Sequence, residues 1–521
     1  GGYGGKVSRS VPAACAASIA ATMFPHADVS FALPLNDNMA QLGSRRPHKF
    51  EFTASCDPST FKITAVKGTS YALQGCASDF GALATALDVS SNIDGPYNVE
   101  NWKIDGYCCK TNTPSNTYCR GPIFLPGHLM IEAVVEAVAE KLGVDAHIVR
   151  EANVYKRGDT SLTGTLLDGC TLDACVSECK RRVNFDALQS SVRLFNAKNR
   201  YVKRGLALSP FKYAMSAATG YAASVSVSQE DGSVLVRQSG CEIGQGLNVK
   251  QAQVAAMTLG CSMDDVTVDG VTSKISTAPT GGSTTSEGNA ASVRLACEAI
   301  LAKMPTSGTW RERVAACAKG VDLSATATYA GDSKEPGILP GKAQTFEQYQ
   351  CYGAACSLVQ FDALSCEPPT VLRTDLVTDQ GTSMNPDVDA GQVQGAFVMG
   401  LGYVTSEEFV WRDDATLTTN GTWEYKVPSS QDIPVAFNVA FLPDTPNAKG
   451  IFSSKAVGEP AILAAASVLS AIRHALQALR ADEKRAGDDK RRTPPLLELS
   501  APATPAAIAL AADLDWRAFS Y

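Results

Sequence analysis

A carboxylate at the predicted start of a helix is the first residue in this sequence with the chemistry of a base. Residues 454–460 read SKAVGEP, so that Glu459 directly precedes Pro460, and proline is favoured at the first position of a helix. A charged carboxylate that is poorly solvated suits general-base catalysis. The residues leave two interpretations open: Glu459 is a catalytic base, or it only caps the helix N-terminus.

A glycine-rich turn opens the chain. It reads GGYGGK, and its Gly2, Tyr3 and Gly4 expose backbone N–H groups that can line a polar or anionic cofactor. A phosphate loop of the P-loop type is excluded, because Lys6 is followed by Val7 rather than by the serine or threonine that binds magnesium. A plain turn explains the same residues equally well.

Two further loops combine small residues with amide and hydroxyl groups. Residues 241–247 read CEIGQGL, where Gln245 between two glycines offers both a donor and an acceptor. Gly281, Gly282 and Ser283 begin the stretch GGSTTSE, which is able to wrap closely around a polar group. Each loop taken alone also fits an ordinary solvated loop.

One arginine precedes a predicted helix. Arg120 is followed by Gly121 and Pro122, after the polar stretch 110–117. An arginine beside a glycine at a helix start is a reasonable phosphate contact.

The elements that must position these residues alternate irregularly along the chain, which predicts a mixed α/β fold of the α+β class. Apolar spacing predicts helices over 127–143, ending at Gly143, over 249–259, and from about 460 to 481. Strand-like runs at 221–227 and 233–237 flank a turn, and Asn420-Gly421 within 416–427 predicts a second hairpin.

The composition excludes several classes of protein. The 521 residues are 45% hydrophobic and 19% charged, with a net charge of −7, which excludes wholesale disorder and the basic footprint of a nucleic-acid binder. The longest apolar stretch, 461–472, is too short to span a bilayer, so no membrane association is expected. Sixteen cysteines and no signal-peptide layout favour a reducing, cytoplasmic location.

Taken in order, the five motifs resemble the molybdenum-cofactor (molybdopterin) domain of the xanthine dehydrogenase and aldehyde oxidase family. The resemblance extends from the first residue almost to the C-terminus. It includes NRYVKRGL at 199–206, NPDVDAGQ at 385–392 and SAPATP at 500–505. It implies a two-part molybdopterin-binding domain, with the rest of a first subdomain over 1–195 and a second subdomain over 196–521. The family's iron–sulfur and FAD domains belong upstream and are absent from this chain.

The resemblance also implies the chemistry. Family members hydroxylate a carbonyl or heterocyclic carbon with oxygen derived from water. Their molybdenum is held by the pterin dithiolene and not by protein side chains, so no protein metal ligand is expected. By resemblance, Glu459 is the catalytic base, hydride passes to the Mo=S group, and electrons continue to the 2Fe-2S clusters and FAD of the upstream part.

Other residues take implied roles in holding the cofactor. The positions that match the family's cofactor-contacting motifs are Gly2, Tyr3 and Gly4 in the opening loop, Arg120 near the pterin, Gln245 as an amide contact, Gly281, Gly282 and Ser283 beside the metal, and Gln392 as a further candidate.

Departures from the family pattern bear on the substrate. Purine-hydroxylating members carry a glutamate, an arginine and an aromatic residue where this chain has Val7, Asp88 and Pro122. Without those hydrogen-bonding groups a purine loses the partners that orient it. Plant-type aldehyde oxidases share the Arg-x-Pro step and the GSTTSE string at 282–287. We therefore expect oxidation of an aldehyde to a carboxylic acid, with dioxygen as the final electron acceptor. Asp88 has no explanation in the family pattern.

Two alternatives stay open. One is a purine hydroxylase of the xanthine dehydrogenase type, acting on an N-heterocycle. The other is a non-catalytic remnant or subunit, suggested by the truncated start and by the unusual stretch RGPIFLP at 120–126. We expect this chain alone not to turn over, because it encodes no electron exit. The resemblance further implies a homodimer.

Overall fold

The computed structural model describes residues 2–6, 8–77, 89–216, 220–270, 279–317, 319–331, 347–365, 367–485 and 496–514. The α-helices in these residues are α1 (Val11–Met23), α2 (Leu35–Gln41), α3 (Phe124–Leu142), α4 (Ala146–Asn153), α5 (Leu172–Val183), α6 (Phe185–Lys198), α7 (Leu247–Leu259), α8 (Thr285–Leu301), α9 (Trp310–Ala315), α10 (Pro386–Thr405), α11 (Ala466–Arg485) and α12 (Pro505–Ala512). The strands are β1 (His48–Cys56), β2 (Ile63–Gly75), β3 (Asn101–Lys110), β4 (Val202–Ser216), β5 (Tyr221–Val227), β6 (Val234–Gln238), β7 (Val266–Asp269), β8 (Ser324–Tyr329), β9 (Glu347–Asp362), β10 (Thr370–Thr378) and β11 (Ala436–Phe441).

The first sheet supports the helix that follows Arg120. Its order is β1-β2-β3, with β1 antiparallel and β3 parallel to β2. The apolar stripe of α3 packs on this sheet through Ile131, Val134 and Val135, as its helical spacing predicts. The helix ends at Gly143, whose left-handed φ of 68° favours glycine.

The second sheet forms the centre of the fold. Its order is β11-β10-β9-β4, and α10, α11 and a 3-10 helix over Pro460–Ala465 share one apolar core with it. Strand β4 approaches α11 so closely that a Cβ on Gly205 would lie 1.8 Å from the carbonyl oxygen of Ala471. The predicted helix from about 460 is confirmed, and it continues to Arg485.

One helical stretch in the described residues, Pro460–Asp482, has the length and hydropathy of a membrane span. Most of its apolar window is buried inside the protein, however. Burial of this kind is typical of a core helix, because the apolar side chains already have protein neighbours.

The third sheet carries two glycine-rich loops. Its order is β7-β6-β5-β8, and β5 and β6 form the predicted antiparallel hairpin. Helices α7 and α8 pack against it through a core that includes Val254, Ala255 and Val293. The predicted helix over 249–259 is confirmed as α7, which ends at Gly260.

The hairpin predicted over 416–427 is wrong. No strand forms at 416–427 in the structure, and an isolated antiparallel bridge joins Trp411 to Leu417 instead. The N–H of Tyr425 bonds to the carbonyl of Gly421 at 2.9 Å. The flanking segments contact Gly402 of α10 closely through Glu407 and Pro428, so tertiary packing outweighs the turn preference of Asn-Gly.

Candidate active site

A single cavity of about 740 Å³ brings the five sequence motifs together. It lies where α3, α7, α8 and α10 begin, between the end of β4 and the segment 454–459. The predicted site residues that line it are Tyr3, Gly4, Arg120, Pro122, Gln245, Gly281, Gly282, Ser283, Gln392 and Glu459. Motifs separated by hundreds of positions therefore meet in one place.

Three other predicted residues are not among those that line the cavity in the described part of the chain. Gly2 does not line the cavity, and its carbonyl accepts the N–H of Gly5 at 2.7 Å, which closes the opening turn. Val7 and Asp88 lie outside the described residues. Of the three substrate-pocket positions predicted from the sequence, Pro122 is the one that the structure locates at the cavity.

Glu459 does not cap the helix that follows it. It is the N-cap residue of the 3-10 helix Pro460–Ala465, yet its side chain makes no capping hydrogen bond. Instead Oε2 of Glu459 accepts the backbone N–H of Gly121 at 3.2 Å and the hydroxyl of Tyr213. Of the two interpretations that the sequence left open, the capping one is therefore wrong.

Tyr213 is a member of this site that sequence reasoning missed. It lies near the end of β4 and is 4% exposed, and its ring packs on Phe124 with centroids 3.9 Å apart. Burial, reinforced by the charge of Glu459, holds the pKa of the Tyr213 phenol well above its usual range. The signal in the sequence was a polar-tipped aromatic within the apolar run of β4, but its partner lies 246 residues away.

Arg120 ties three segments of the wall together. Its Nε donates to the carbonyl of Gly458 at 2.9 Å, and its Nη2 donates to the carbonyl of Gln392 at 3.0 Å. Its backbone N–H bonds to the carbonyl of Tyr3 at 2.8 Å. Burial lowers the pKa of Arg120, while Glu459 opposes that shift. The guanidinium therefore holds the segment that precedes Glu459 and helix α10 together at the cavity wall.

The two predicted amide residues differ in what they bind. Gln392 donates through Nε2 to the carbonyl of Gly244 at 2.8 Å, which links α10 to the loop before α7. Gln245 uses both ends of its amide on its own loop, with Nε2 bonded to Cys241 and Oε1 to Ile243. The cofactor contact implied for Gln245 remains a prediction.

Buried polar contacts hold the segment 454–459 in place. Lys455 pairs with Asp379 at 2.7 Å, and both side chains are buried. The N–H of Ala456 donates to the hydroxyl of Tyr349 at 3.0 Å, and Tyr349 lies on β9 of the central sheet. These contacts hold the backbone that carries Glu459 against the central sheet.

A second carboxyl group, Glu287, lines the cavity in the first turn of α8. Its Oε2 accepts the hydroxyl of Tyr349 at 2.9 Å, while its buried Oε1 has no hydrogen-bond partner among the described residues. Burial raises its pKa to about 7, although the bond from Tyr349 opposes the shift. The sequence motif contained Glu287, but no local pattern distinguished it from an ordinary residue of a helical first turn.

The cavity fits a bulky polar cofactor. A Cβ added at Gly4, Gly244 or Gly281 would meet no atom within 4 Å, so the chain faces open space at three loops of the wall. Four helices begin there with their positive dipole ends, which favours an anionic group such as a phosphate. Tyr3 and Ser283 adopt positive φ angles of 49° and 58°, and strain in non-glycine residues concentrates at functional sites.

Comparison with known proteins agrees with this fit. Two family models, each described as a molybdopterin cofactor-binding domain, match residues 1–154 and 178–434. The chain is similar in structure to quinoline 2-oxidoreductase from Pseudomonas putida 86, with a TM-score of 0.77 over 92% of this chain and 64% of that one, at 22% identity. This likeness confirms the predicted α+β fold of the molybdopterin-binding type.

Curated relatives come from two groups of enzymes. The chain is 35% identical over 525 residues to the xanthine dehydrogenase/oxidase of Felis catus. It is 34% identical over 525 residues to aldehyde oxidase 1 of Oryctolagus cuniculus. The alignments cover 97% and 98% of this chain but only 38% of each relative. The chain thus spans a little over a third of the length of these relatives.

Proposed function

Because the chain belongs to the xanthine dehydrogenase and aldehyde oxidase family of molybdopterin-binding proteins, we propose that it is the molybdenum-cofactor part of an oxidoreductase that converts an aldehyde to a carboxylic acid. The overall change is the aldehyde plus water giving the acid, two protons and two electrons. The observation that carries this proposal is Glu459, a carboxylate at the wall of a cofactor-sized cavity with one oxygen already held by two donors.

Different residues of this chain would bind the cofactor, accept a proton and position the base. The loops at Gly4, Gly244 and Gly281 would hold the cofactor, since each leaves open space at the wall. When bound, the molybdenum cofactor supplies the oxygen atom and takes up the two electrons. Glu459 takes up one of the two protons that the overall change releases, as the new carbon–oxygen bond forms. Arg120 keeps the segment of Glu459 in register with α10, and such positioning contributes directly to rate.

The described wall near Glu459 suits an aldehyde with an apolar or aromatic body. Pro122, Ile123 and Phe124 directly follow Gly121, whose N–H bonds to Glu459, and they line the cavity together with Ile243 and Val457. The side chain of Pro122 offers no hydrogen-bonding group and no aromatic ring to hold a purine. An aldehyde needs few polar contacts, because its carbonyl is the reacting group, whereas a purine depends on several. The substrate class rests on this difference.

The test uses the complete protein that carries this chain. Metal analysis should find molybdenum, and steady-state assays should show faster turnover of an aromatic aldehyde than of xanthine. Faster turnover of xanthine would contradict the aldehyde assignment and favour the purine-hydroxylase alternative. A folded protein without molybdenum that oxidises neither compound would contradict catalysis altogether, leaving a non-catalytic subunit.

A further inference from the structure

The two oxygens of the Glu459 carboxylate have different surroundings. Oε2 accepts both the N–H of Gly121 and the hydroxyl of Tyr213. Oε1 accepts no hydrogen bond from the residues that the structure describes, and Glu459 lines the cavity. Since lone pairs committed to donors are poor proton acceptors, the two oxygens are not equivalent for proton transfer.

We propose that Tyr213 is a positioning residue for proton transfer at Glu459: its phenol holds Oε2, so that Oε1 is the oxygen that takes up the proton. This inference rests on the proposed function, because it assigns a role within the same reaction. It gives the two oxygens of Glu459 different roles, and it gives a residue of β4 a role that no sequence motif indicated.

The phenol of Tyr213 remains a hydrogen-bond donor throughout the neutral range. Burial, with Glu459 as the nearest negative charge, raises its pKa well above the usual value. Its one hydroxyl hydrogen therefore stays committed to the carboxylate. A hydrogen bond from a neutral donor stabilises the charged form of the carboxyl group over its protonated form.

The phenol ring is packed on an aromatic neighbour, and its strand is paired within the central sheet. Phe124, the first residue of α3, packs on its ring at a centroid distance of 3.9 Å. The backbone of Tyr213 is held by the pairing of β4 with β9, in which Tyr213 lies opposite Cys351. Gly121 lies in the loop before α3, so one short segment supplies both the second donor to Oε2 and the ring that orients the first. The unusual stretch 120–126 thereby gains a structural role.

Other ionisable groups act on this pair and must be considered in its pH dependence. The Arg120 cation faces Glu459, and Tyr3, Cys119 and Arg45 in turn face Arg120. Tyr213 is influenced by Cys351 and by Arg45 as well as by Glu459. The Tyr213→Phe change leaves all of these groups in place, so a shift in the titration of Glu459 reports the phenol hydroxyl.

The first experiment compares Tyr213→Phe with the parent in the complete, cofactor-loaded enzyme. Loss of a hydrogen bond to a charged group should lower kcat about ten-fold and move the acid limb of the pH–kcat/KM profile up by about one pH unit. KM should change little. The matched control is Tyr425→Phe, because Tyr425 donates to Glu407 at 2.6 Å in a pair that lies outside the cavity lining. It should leave the profile unchanged.

A second readout does not depend on turnover. Infrared spectra of cofactor-free protein labelled with ¹³C-glutamate, after subtraction of the Glu459→Gln spectrum, give the protonation of Glu459 against pH. Its midpoint should rise in Tyr213→Phe and fall when 3-fluorotyrosine, a stronger donor, replaces Tyr213. The fluorinated variant keeps the ring and hydroxyl, so it serves if Tyr213→Phe does not fold.

The outcomes separate the two proposals. Midpoints that stay the same in both variants would overturn the role of Tyr213. If Tyr213 shifts the midpoint while Glu459→Gln leaves turnover unchanged, the role of Tyr213 in holding Oε2 survives, but Glu459 is not the base and the proposed function fails.

Discussion

Two of the carboxyl groups that line the cavity, which we call the Glu459 corner and the Glu287 corner, are built alike but differ in their hydrogen-bond donors. Glu459 and Glu287 each lie at the start of a helix, and each accepts a tyrosine hydroxyl from the central sheet, Tyr213 on β4 and Tyr349 on β9. Oε2 of Glu459, which accepts the Tyr213 hydroxyl, also accepts the backbone N–H of Gly121. The second oxygen of Glu287 is buried without a partner in the part of the chain that the structure describes, and burial raises the pKa of Glu287 to about 7.

The difference shows what decides the charge of a carboxyl group near a helix start. The helix dipole favours the charged form at both corners. At Glu287, burial with a single donor outweighs the dipole, because a charged oxygen without a partner in the interior is costly. The two corners differ in the second donor, the N–H of Gly121, which Glu459 has and for which Glu287 has no counterpart among the described residues.

Glu459→Gln tests the first corner with the largest expected effect. The amide keeps the shape and can still accept the hydroxyl of Tyr213, but it cannot take up a proton. In the complete enzyme kcat should fall by about 10²–10⁴-fold with molybdenum content unchanged. The control is Glu407→Gln, which changes a Tyr-paired carboxylate outside the cavity lining. Equal losses in both variants would contradict a specific role for Glu459.

Glu287→Gln tests the second corner through stability. Because burial raises the folded-state pKa to about 7 from an ordinary 4.5, folded protein binds more protons than unfolded protein between these values. Stability of the parent should therefore fall as pH rises through this window. The Glu287→Gln variant has no group at this position that titrates in the window. Above pH 7 its free energy of unfolding, relative to that of the parent, should therefore be higher than at low pH by something on the order of 3 kcal/mol. Denaturant unfolding across pH 4–8 measures the difference.

Glu312→Gln is the matched control for that measurement. Glu312 occupies the same third helical position in α9, but it completes a capping box with Thr309. Its hydrogen bonds to Thr309 lower its pKa, so its contribution should be lost as pH falls, which is the opposite sign. The same pH dependence in both variants would contradict the assignment of the raised Glu287 pKa to burial.

Gly121→Ala perturbs the donor that only the Glu459 corner has. Its φ is +65°, and a Cβ there would lie 2.9 Å from Cγ2 of Ile462. We expect a loss of about 1–2 kcal/mol from the left-handed backbone and a further fall in kcat of about 10–100-fold from displacement of its N–H. Gly143→Ala has the same strained φ of +68° with open space around it, so it should lose stability alone. A loss of kcat in both would contradict the positioning argument.

Tyr349→Phe should have the smallest effect. It removes the one hydrogen bond that lowers the pKa of Glu287, so the stability window of that group should extend above pH 7. It also leaves the N–H of Ala456 without its acceptor, at a cost of about 1 kcal/mol. We expect kcat to change by only a few-fold. A loss as large as that of Tyr213→Phe would show that the two corners are not separate.

Much of the site could be predicted because its residues lie in local motifs. Glycine loops before helix starts are visible in sequence, and Arg120, Gln392 and Glu459 all line the predicted cavity. Tyr213 could not be predicted, since its role depends on a partner on another element. The Asn420-Gly421 hairpin failed for a related reason, because contacts with α10 override a local preference for a turn.

The irregular order of elements was enough to predict the α+β class but not the arrangement of its sheets. The hairpin of β5 and β6 is local and was predicted. The pairing of β4 with β9, which places Tyr213 opposite Cys351 and Tyr349 opposite Met215, joins segments about 150 residues apart and leaves no short-range signal. Strand pairing of that kind is set by the whole core and not by propensity.

The cavity has one consequence for the time at which the protein can acquire its cofactor. Its walls include Gly4 and Glu459, which are 455 positions apart in the chain. At typical rates of synthesis the second leaves the ribosome about 25–90 s after the first. A nascent chain therefore cannot offer a complete binding site, and cofactor loading must follow translation of nearly all of this sequence. Occupancy by the cofactor then reports that the chain has been synthesised at least as far as Glu459 and has folded around the cavity.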